Sequence, residues 1–138
     1  MSADAPMGLA LVACDTVIED KVTGKKSLIG LCDRIAGTRF PCVHPELSVY
    51  VSLTSGRGER PCAVTCRHTD DVTVAFTATG KIRFRDPTQV VDLVFRLRGV
   101  RFVKPGTYWL QFLVDDMPIM VRPLTVSKIE KRKQDSEG

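Results

Sequence analysis

A strict two-residue alternation of side chains, which recurs in run after run of the chain, constrains the fold most. In the segment LSVYVSL, residues 47–53, Leu and Val alternate with Ser and Tyr. Successive side chains of an extended strand point to opposite faces, so this pattern predicts a half-buried strand. The same period recurs in VTVAF, KIRFR, DLVFRLR and YWLQFLV, and almost nothing in the chain has the period of a helix. We therefore expect an all-β protein.

Turn-forming residues separate these runs roughly every ten residues, a spacing typical of sandwiches and barrels. They are Gly56 and Gly58, Asp70 and Asp71, Thr79 and Gly80, Asp86 and Pro87, Pro105 and Gly106, and Asp115 and Asp116. We predict a single antiparallel β-sandwich, immunoglobulin-like or of a related Greek-key type, with about eight or nine strands.

The last predicted strand is interrupted by Pro123. Apolar positions change there from odd (Ile119, Val121) to even (Leu124, Val126). Proline has no N–H to donate to a sheet, so we predict a bulge at this point on an edge strand.

The 138 residues, 43% apolar and 26% charged, fit one globular domain. We assign residues 1–127 to the sandwich and residues 128–138 to a flexible charged tail, which has too few apolar side chains to order itself. No apolar run approaches the roughly 20 residues that span a bilayer. The N-terminus lacks the basic stretch of a secretory signal. We expect a cytoplasmic protein without a membrane partner.

Two resemblances support this fold. The segment RFVKPGTYWLQFLVDDMPIMVRPLTV resembles the closing hairpin of many immunoglobulin-like sandwiches. The order of ALVACDTVIEDKVTGKKSLIGLCDRI, LSVYVSLTSGRGE and VDLVFRLRGVRFVKPGTYWLQFLVDD, from about Ala10 to Val126, resembles an uncharacterised bacterial family of small all-β proteins of unknown function. The family resemblance implies no particular activity, cofactor or site residue.

The segment DKVTGKKSLIG, residues 20–30, contains part of a phosphate-loop motif. A phosphate loop needs Gly-x-x-x-x-Gly-Lys-Ser/Thr between a strand and a helix. Here Glu19 replaces the first glycine and Lys26 replaces the Ser or Thr, and the apolar run that follows favours a strand. We interpret the segment as a β-hairpin that turns at Thr23 and Gly24, with Lys25 and Lys26 in solvent and a buried strand after them.

Neither a catalytic nor a metal-binding constellation is predicted. The five cysteines are an odd number without a Cys-x-x-Cys pair, which argues against a disulfide framework and a zinc site. His44 and His68 stand beside turn residues, and Cys66 is about 6–7 Å from His68 along an extended strand, too far for a catalytic pair. Acidic pairs at predicted turns are interpreted as turn residues rather than calcium ligands. We expect no enzyme, no catalytic residues, no metal and no cofactor.

Basic residues form one-sided rows on two predicted strands. Lys81, Arg83 and Arg85 alternate in KIRFR, and Arg96 and Arg98 alternate in DLVFRLR. If the two strands pair, these rows make one basic stripe on one sheet, which would suit nucleic acid or another polyanion. Charged rows also keep a sheet soluble and guard its edges.

Two features favour a protein partner. The runs GLALVAC and SLIGLC are nearly continuously apolar, which predicts strands covered on both faces. Trp109 and Leu113 lie on the face of their strand opposite its core residues, where they would form an interface unless the loop AGTRFPCVHPE covers them. The sequence therefore favours a non-enzymatic protein-binding or self-assembling module that forms homo-oligomers, with an anion- or nucleic-acid-binding module as the alternative.

Overall fold

The computed structural model describes residues 5–130 and is built from nine β-strands, with no helix in that range. The strands are β1 (Met7–Glu19), β2 (Lys26–Leu31), β3 (Arg34–Gly37), β4 (Cys42–Thr54), β5 (Gly58–His68), β6 (Val74–Phe84), β7 (Val91–Phe102), β8 (Gly106–Val114) and β9 (Met117–Lys128). The all-β prediction and the predicted strand number are confirmed. No helix within residues 5–130 is long and apolar enough to cross a membrane.

The strands form two sheets. Sheet A has four strands in the order β2-β1-β4-β7, and sheet B has five in the order β3-β9-β8-β5-β6. Every neighbouring pair is antiparallel except β3 and β9, which run parallel, so the prediction of a purely antiparallel arrangement is wrong at this position. A parallel pair needs a long connection, and β4 to β8 all lie between β3 and β9 in the chain.

The alternation in residues 47–53 gives β4 its core face. Leu47, Val49, Val51 and Leu53 are completely buried. The main hydrophobic core joins them to residues of sheet B, among them Val64, Ile82, Tyr108, Leu110 and Phe112. The core is thus formed by the apolar side chains on one face of each sheet. Burying these side chains removes apolar surface from water, which stabilises the fold.

The segment from Asp20 to Lys25 forms the tip of the β1–β2 hairpin, as predicted. The Asp20 carboxylate accepts hydrogen bonds from the backbone N–H groups of Val22 and Thr23. Gly24 has a φ of 73°, a left-handed conformation that glycine adopts without steric cost. No helix N-terminus follows the tip, because β2 begins directly at Lys26.

Sheet A has an outer face on the side away from the core, which includes Ser48 and Ser52 of β4 and Asp92 and Arg96 of β7. Lys26, at the start of β2, donates a 3.0 Å hydrogen bond to Asp92, although β2 and β7 are the opposite edges of a four-stranded sheet. Three strand spacings separate such edges by about 14 Å, more than a lysine side chain spans. The β1–β2 hairpin must therefore bend across this face.

Two further observations show that the hairpin covers the outer face of sheet A. The Arg96 guanidinium donates a 3.0 Å hydrogen bond to the carbonyl oxygen of Val17 in β1. Ser48 and Ser52 are only 3% and 7% exposed although they point away from the core. The prediction that both lysines of the hairpin tip lie in solvent is therefore wrong for Lys26, which anchors the hairpin through Asp92. It holds for Lys25, which is exposed.

The prediction that SLIGLC is a buried strand is wrong. β2 is an edge strand, and its Ile29 and Leu31 are 47% and 71% exposed. The same prediction for the run GLALVAC agrees better with the structure. Leu11, Ala13 and Cys14 are buried there, although Leu9 is half exposed. A continuous apolar run does not distinguish a central strand such as β1 from the edge strand beside it.

Two local predictions also change. Thr79 and Gly80 do not form a turn but lie within β6, where Gly80 pairs with Cys62 of β5. The register shift in the last hairpin lies between Met120 and Pro118, opposite Phe112 and Leu113, and not at Pro123. Pro123 is tolerated because β3 pairs with β9 only from residue 125 onward, so no ladder hydrogen bond is lost on that side.

The C-terminal part of β9 continues one residue beyond the predicted domain boundary. Lys128 still pairs with Gly37 of β3, and the backbone N–H of Ile129 donates to the Gly37 carbonyl. The predicted flexible tail otherwise falls mostly on residues 131–138, which lie outside the described residues.

Candidate functional site

The candidate site is the outer face of sheet B around Trp109. Trp109 of β8 pairs with Arg67 of β5 on one side and Pro123 of β9 on the other. Gln111, two residues along β8, pairs with Val121 of β9. We call these five residues the Trp109 surface. They share one face because paired residues in adjacent strands point to the same side of a sheet.

Trp109 is 41% exposed at the edge of a depression of about 360 Å³. The depression is lined by Arg67, Gln111, Val121 and the turn that follows β5. Residues 36–46 are not part of this lining, so the loop expected as a cover does not lie over Trp109. A tryptophan side chain with this exposure is well suited to bury apolar area against another molecule.

Leu113 lies on the same outer face but is less accessible. It is half-buried, pairs with Ala63 of β5 and Pro118 of β9, and lines a second depression of about 520 Å³. Thr65 and Lys81 line this second depression too. The structure therefore brings the two predicted interface residues to one face, with Trp109 the more exposed of the two.

A hydrogen-bond network fixes the turn at the rim of the Trp109 depression. The Asp70 carboxylate accepts hydrogen bonds from the N–H groups of Val72 and Thr73 and pairs with Lys104 at 2.6 Å. The Lys104 ammonium and these N–H groups hold the pKa of the Asp70 carboxyl well below its usual range. This turn is thus tied to the segment before β8.

His68 completes this network. Its Nδ1 accepts the backbone N–H of Asp70, which leaves Nε2 to donate to the Pro105 carbonyl at 3.1 Å. Its ring also packs edge-on against Tyr108 at a centroid distance of 5.0 Å. Both nitrogens of His68 are therefore engaged in holding two turns together.

The cysteines are buried or partly buried. Cys62 and Cys66 face the core together, as their even spacing predicts. Burial raises the pKa of the Cys66 thiol to about 12, so it stays protonated at neutral pH. Among residues 5–130 no group of three or more His, Cys, Asp or Glu side chains is placed to hold a metal ion.

The two basic rows do not form one stripe. Lys81 and Arg83 lie on β6 in sheet B, and Arg85 follows the end of that strand, whereas Arg96 and Arg98 lie on β7 in sheet A. The premise that these strands pair in one sheet is wrong, because β6 pairs with β5 and β7 pairs with β4.

Each row also has an acidic neighbour. Glu59 pairs with Arg83 and Glu46 pairs with Arg98 in the two ladders. Arg96 is occupied by the Val17 carbonyl. The positive charge is thus divided between two sheets and partly compensated on each.

Several residues of the site could not be found from the sequence. Arg67, Val121 and Pro123 join Trp109 only because β5 and β9 are its neighbours in sheet B. The sequence pattern places Val121 among the apolar positions of the last strand and Pro123 at a predicted bulge, but nothing local indicates which strand lies beside them.

The fold and site together define a class: an all-β protein whose residues 5–130 form nine strands in two sheets, with an exposed aromatic surface on one of them. The chain belongs to a family of unknown function, DUF6941, whose model matches residues 9–127. The match confirms the predicted membership of an uncharacterised family. No curated protein matches the chain.

Similar solved structures include a β-glucosidase from Listeria innocua. Its complex with glucose has a TM-score of 0.48 at 14% identity, covering 78% of this chain and 17% of that one. Its complex with isofagomine has a TM-score of 0.48 at 12% identity, covering 91% and 17%. The chain therefore spans about a sixth of the length of those chains, and a likeness this weak carries no argument about activity.

Proposed function

We propose that the protein is a non-enzymatic binding module that associates with a second copy of itself through the Trp109 surface. The observation that carries this proposal is the 41% exposure of Trp109 on the outer face of sheet B. Tryptophan is enriched among the residues that dominate binding energy at protein interfaces. Val121 and Pro123 beside it are exposed as well, which makes the exposed apolar area continuous.

The charges on this face favour a protein partner over a polyanion. Arg67 and Asp71 lie 3.9 Å apart beside Trp109, and Glu59 faces Arg83 at the other end of the sheet. A face that carries both signs is complementary to a second copy of itself when the two are related by a two-fold axis.

The size of the face also suits a dimer. The four longer strands β9, β8, β5 and β6, about 4.8 Å apart, and the nine residues of β8 at about 3.4 Å each give roughly 600 Å² of projected area. A standard interface buries about 800 Å² on each partner. Two copies of this face therefore approach the area of a specific complex.

The non-enzymatic part of the proposal is supported by the residues that chemistry would need. Cys66 is a protonated, fully buried thiol, and both ring nitrogens of His68 are used in structural hydrogen bonds. A nucleophile and a base must reach each other and a substrate to react. Neither side chain is placed to do so.

We also propose that the two sheets are the layers of one immunoglobulin-like sandwich. The main core combines residues of both sheets, as facing layers require. The Tyr108 hydroxyl donates a 2.7 Å hydrogen bond to the carbonyl of Lys104, four residues upstream. This contact resembles the tyrosine corner of immunoglobulin-like domains.

A cytoplasmic location in a bacterium completes the proposal. The described cysteines are all free, including three that are buried. Free thiols in this number suit a reducing compartment.

Sedimentation of the wild type and of Trp109→Ser tests the self-association. We expect the wild type to show concentration-dependent size in the micromolar range. The dissociation constant of Trp109→Ser should rise about tenfold or more, because an interface anchor is lost. Val43→Ser, an exposed valine of sheet A, is the matched control and should associate like the wild type. A wild type that remains monomeric at high micromolar concentration contradicts the proposal.

A further inference from the structure

Within residues 5–130 the two sheets have four edge strands, β2 and β7 in sheet A and β3 and β6 in sheet B. An edge strand has backbone N–H and C=O groups without a partner, and natural proteins block most such edges. Three of the four edges are short or interrupted. β3 has four residues, and Gly30 in β2 and Gly99 in β7 have φ values of 74° and 61°, which break the extended backbone. β6 is the edge that these features leave open.

The free edge of β6 is long and regular. Residues 76–84 pair with residues 58–66 of β5 in one uninterrupted register, and none of residues 76–84 is a proline or has a positive φ. No described strand pairs with the other side of β6. Every second residue of an antiparallel strand directs both its N–H and its C=O away from its neighbour, so about four residues of this stretch offer backbone groups to a further strand.

The core beside this edge is only partly covered. Phe76 of β6 packs against the core but remains partly exposed. Gly80 lies over Phe95 of β7, since a Cβ on Gly80 would stand 3.4 Å from that ring. Leu93 and Leu97, two residues to either side of Phe95, are also only partly buried. Apolar surface between β6 and β7 is thus accessible to the alternate side chains of an added strand.

The outer margin of the same edge is basic. Lys81 and Arg83 are exposed and form no ion pair among residues 5–130, although Glu59 of β5 faces Arg83 in the ladder. Residues 76–84 contain no acidic residue, so pairing of β6 with β6 of a second copy would bring like charges together. Acidic side chains on an incoming strand would instead lie beside two cations. Charge complementarity therefore favours an acidic partner over a second copy at this edge.

We propose that the free edge of β6 binds an extended segment of a partner protein as an added β-strand along residues 76–84, with acidic side chains beside Lys81 and Arg83 and apolar side chains toward β7. Main-chain hydrogen bonds supply affinity in this mode of binding, and side chains at alternate positions supply specificity. An added strand lies in the plane of the sheet beside β6, whereas Trp109 lies on the outer face two strands away. The site is thus separate from the Trp109 surface and does not depend on self-association.

Selection from a display library of random peptides tests the proposal. We expect peptides selected on the wild type to alternate apolar and other residues and to contain Asp or Glu. Their affinity for Lys81→Gln/Arg83→Gln should fall about three- to tenfold, because two charged contacts are lost. Lys21→Gln/Lys25→Gln, which removes two exposed cations from the tip of the β1–β2 hairpin, is the matched control and should bind like the wild type. Trp109→Ser should also bind normally, which separates this result from the proposed function.

Amide hydrogen exchange of the wild type locates the bound peptide without any substitution. A selected peptide should slow exchange within residues 76–84 and leave β2, an edge of sheet A, unchanged. The proposal is overturned if no acidic peptide is enriched, if enriched peptides bind Lys81→Gln/Arg83→Gln and the wild type equally, or if protection falls elsewhere. Lys81 and Arg83 would then serve only to guard the edge against pairing. Peptides that heparin displaces and that leave residues 76–84 unprotected would indicate a polyanion surface and contradict the added strand as well.

Discussion

The outer faces of sheets A and B come from strands with the same alternation, but they have opposite environments. On sheet A the outward residues Ser48 and Ser52 are buried beneath the β1–β2 hairpin. On sheet B the outward residue Trp109 is substantially exposed. Small polar side chains are thus covered, while the largest apolar side chain is left open to solvent.

The cover on sheet A is held by polar contacts. Asp92 accepts hydrogen bonds from both Lys26 and the Tyr50 hydroxyl, at 3.0 and 3.2 Å. Small serines leave the space into which a hairpin can bend. The comparison teaches that an outward position is buried or exposed according to what the rest of the chain places over it. The exposed aromatic side chain on sheet B is the observation on which the proposed interface is based.

The largest expected effect comes from enlarging one outward residue on each sheet. Ser48→Leu should destabilise the protein by about 1–3 kcal/mol, because the added volume has no room under the hairpin. Thr65→Leu on the open face of sheet B should change stability by less than about 0.5 kcal/mol. Urea unfolding of both variants measures the difference. Equal effects at the two positions would mean that sheet A is not covered.

A smaller change in stability is expected at the hairpin tip, where the two adjacent lysines should contribute differently. Lys26→Ala should cost up to about 1 kcal/mol, because a partly buried ion pair with Asp92 is lost. Lys25→Ala, its exposed neighbour, should be nearly neutral. The hydrogen bond to Asp92 raises the pKa of Lys26, so its contribution is present below the ordinary value of 10.5 and is lost as pH rises through the raised value.

Unfolding of the two variants and the wild type at neutral pH and at high pH measures both parts of this prediction. The gap between Lys26→Ala and the wild type should narrow at high pH, while Lys25→Ala should follow the wild type throughout. A loss of stability in Lys25→Ala as large as that in Lys26→Ala would show that the tip is held by something other than the Lys26–Asp92 contact.

Features set by a strand's own period could be predicted from the sequence. The alternation at residues 47–53 identifies the core face of β4, and Thr23 and Gly24 identify a hairpin tip. Features that depend on distant strands could not. Thr79 and Gly80 look like a turn but continue β6, because the adjacent β5 supplies a complete ladder for them.

The candidate site also has one part that could be predicted from the sequence and one part that could not. Trp109 was recognisable because it occupies an outward position on a strand with an apolar inner face. Its neighbours depend on the strand order β9-β8-β5, which no local pattern encodes.

The smallest expected effect concerns the basic rows, which the structure divides between the two sheets. Arg83→Glu on sheet B and Arg98→Glu on sheet A should each lower retention on heparin slightly, and their effects should add, because each row is a separate weak patch. The exposed Lys25→Glu is the control for the change in net charge alone. If either single variant abolished a steeply salt-dependent retention, the two rows would act as one polyanion site, and the Trp109 surface would lose its place as the main binding surface.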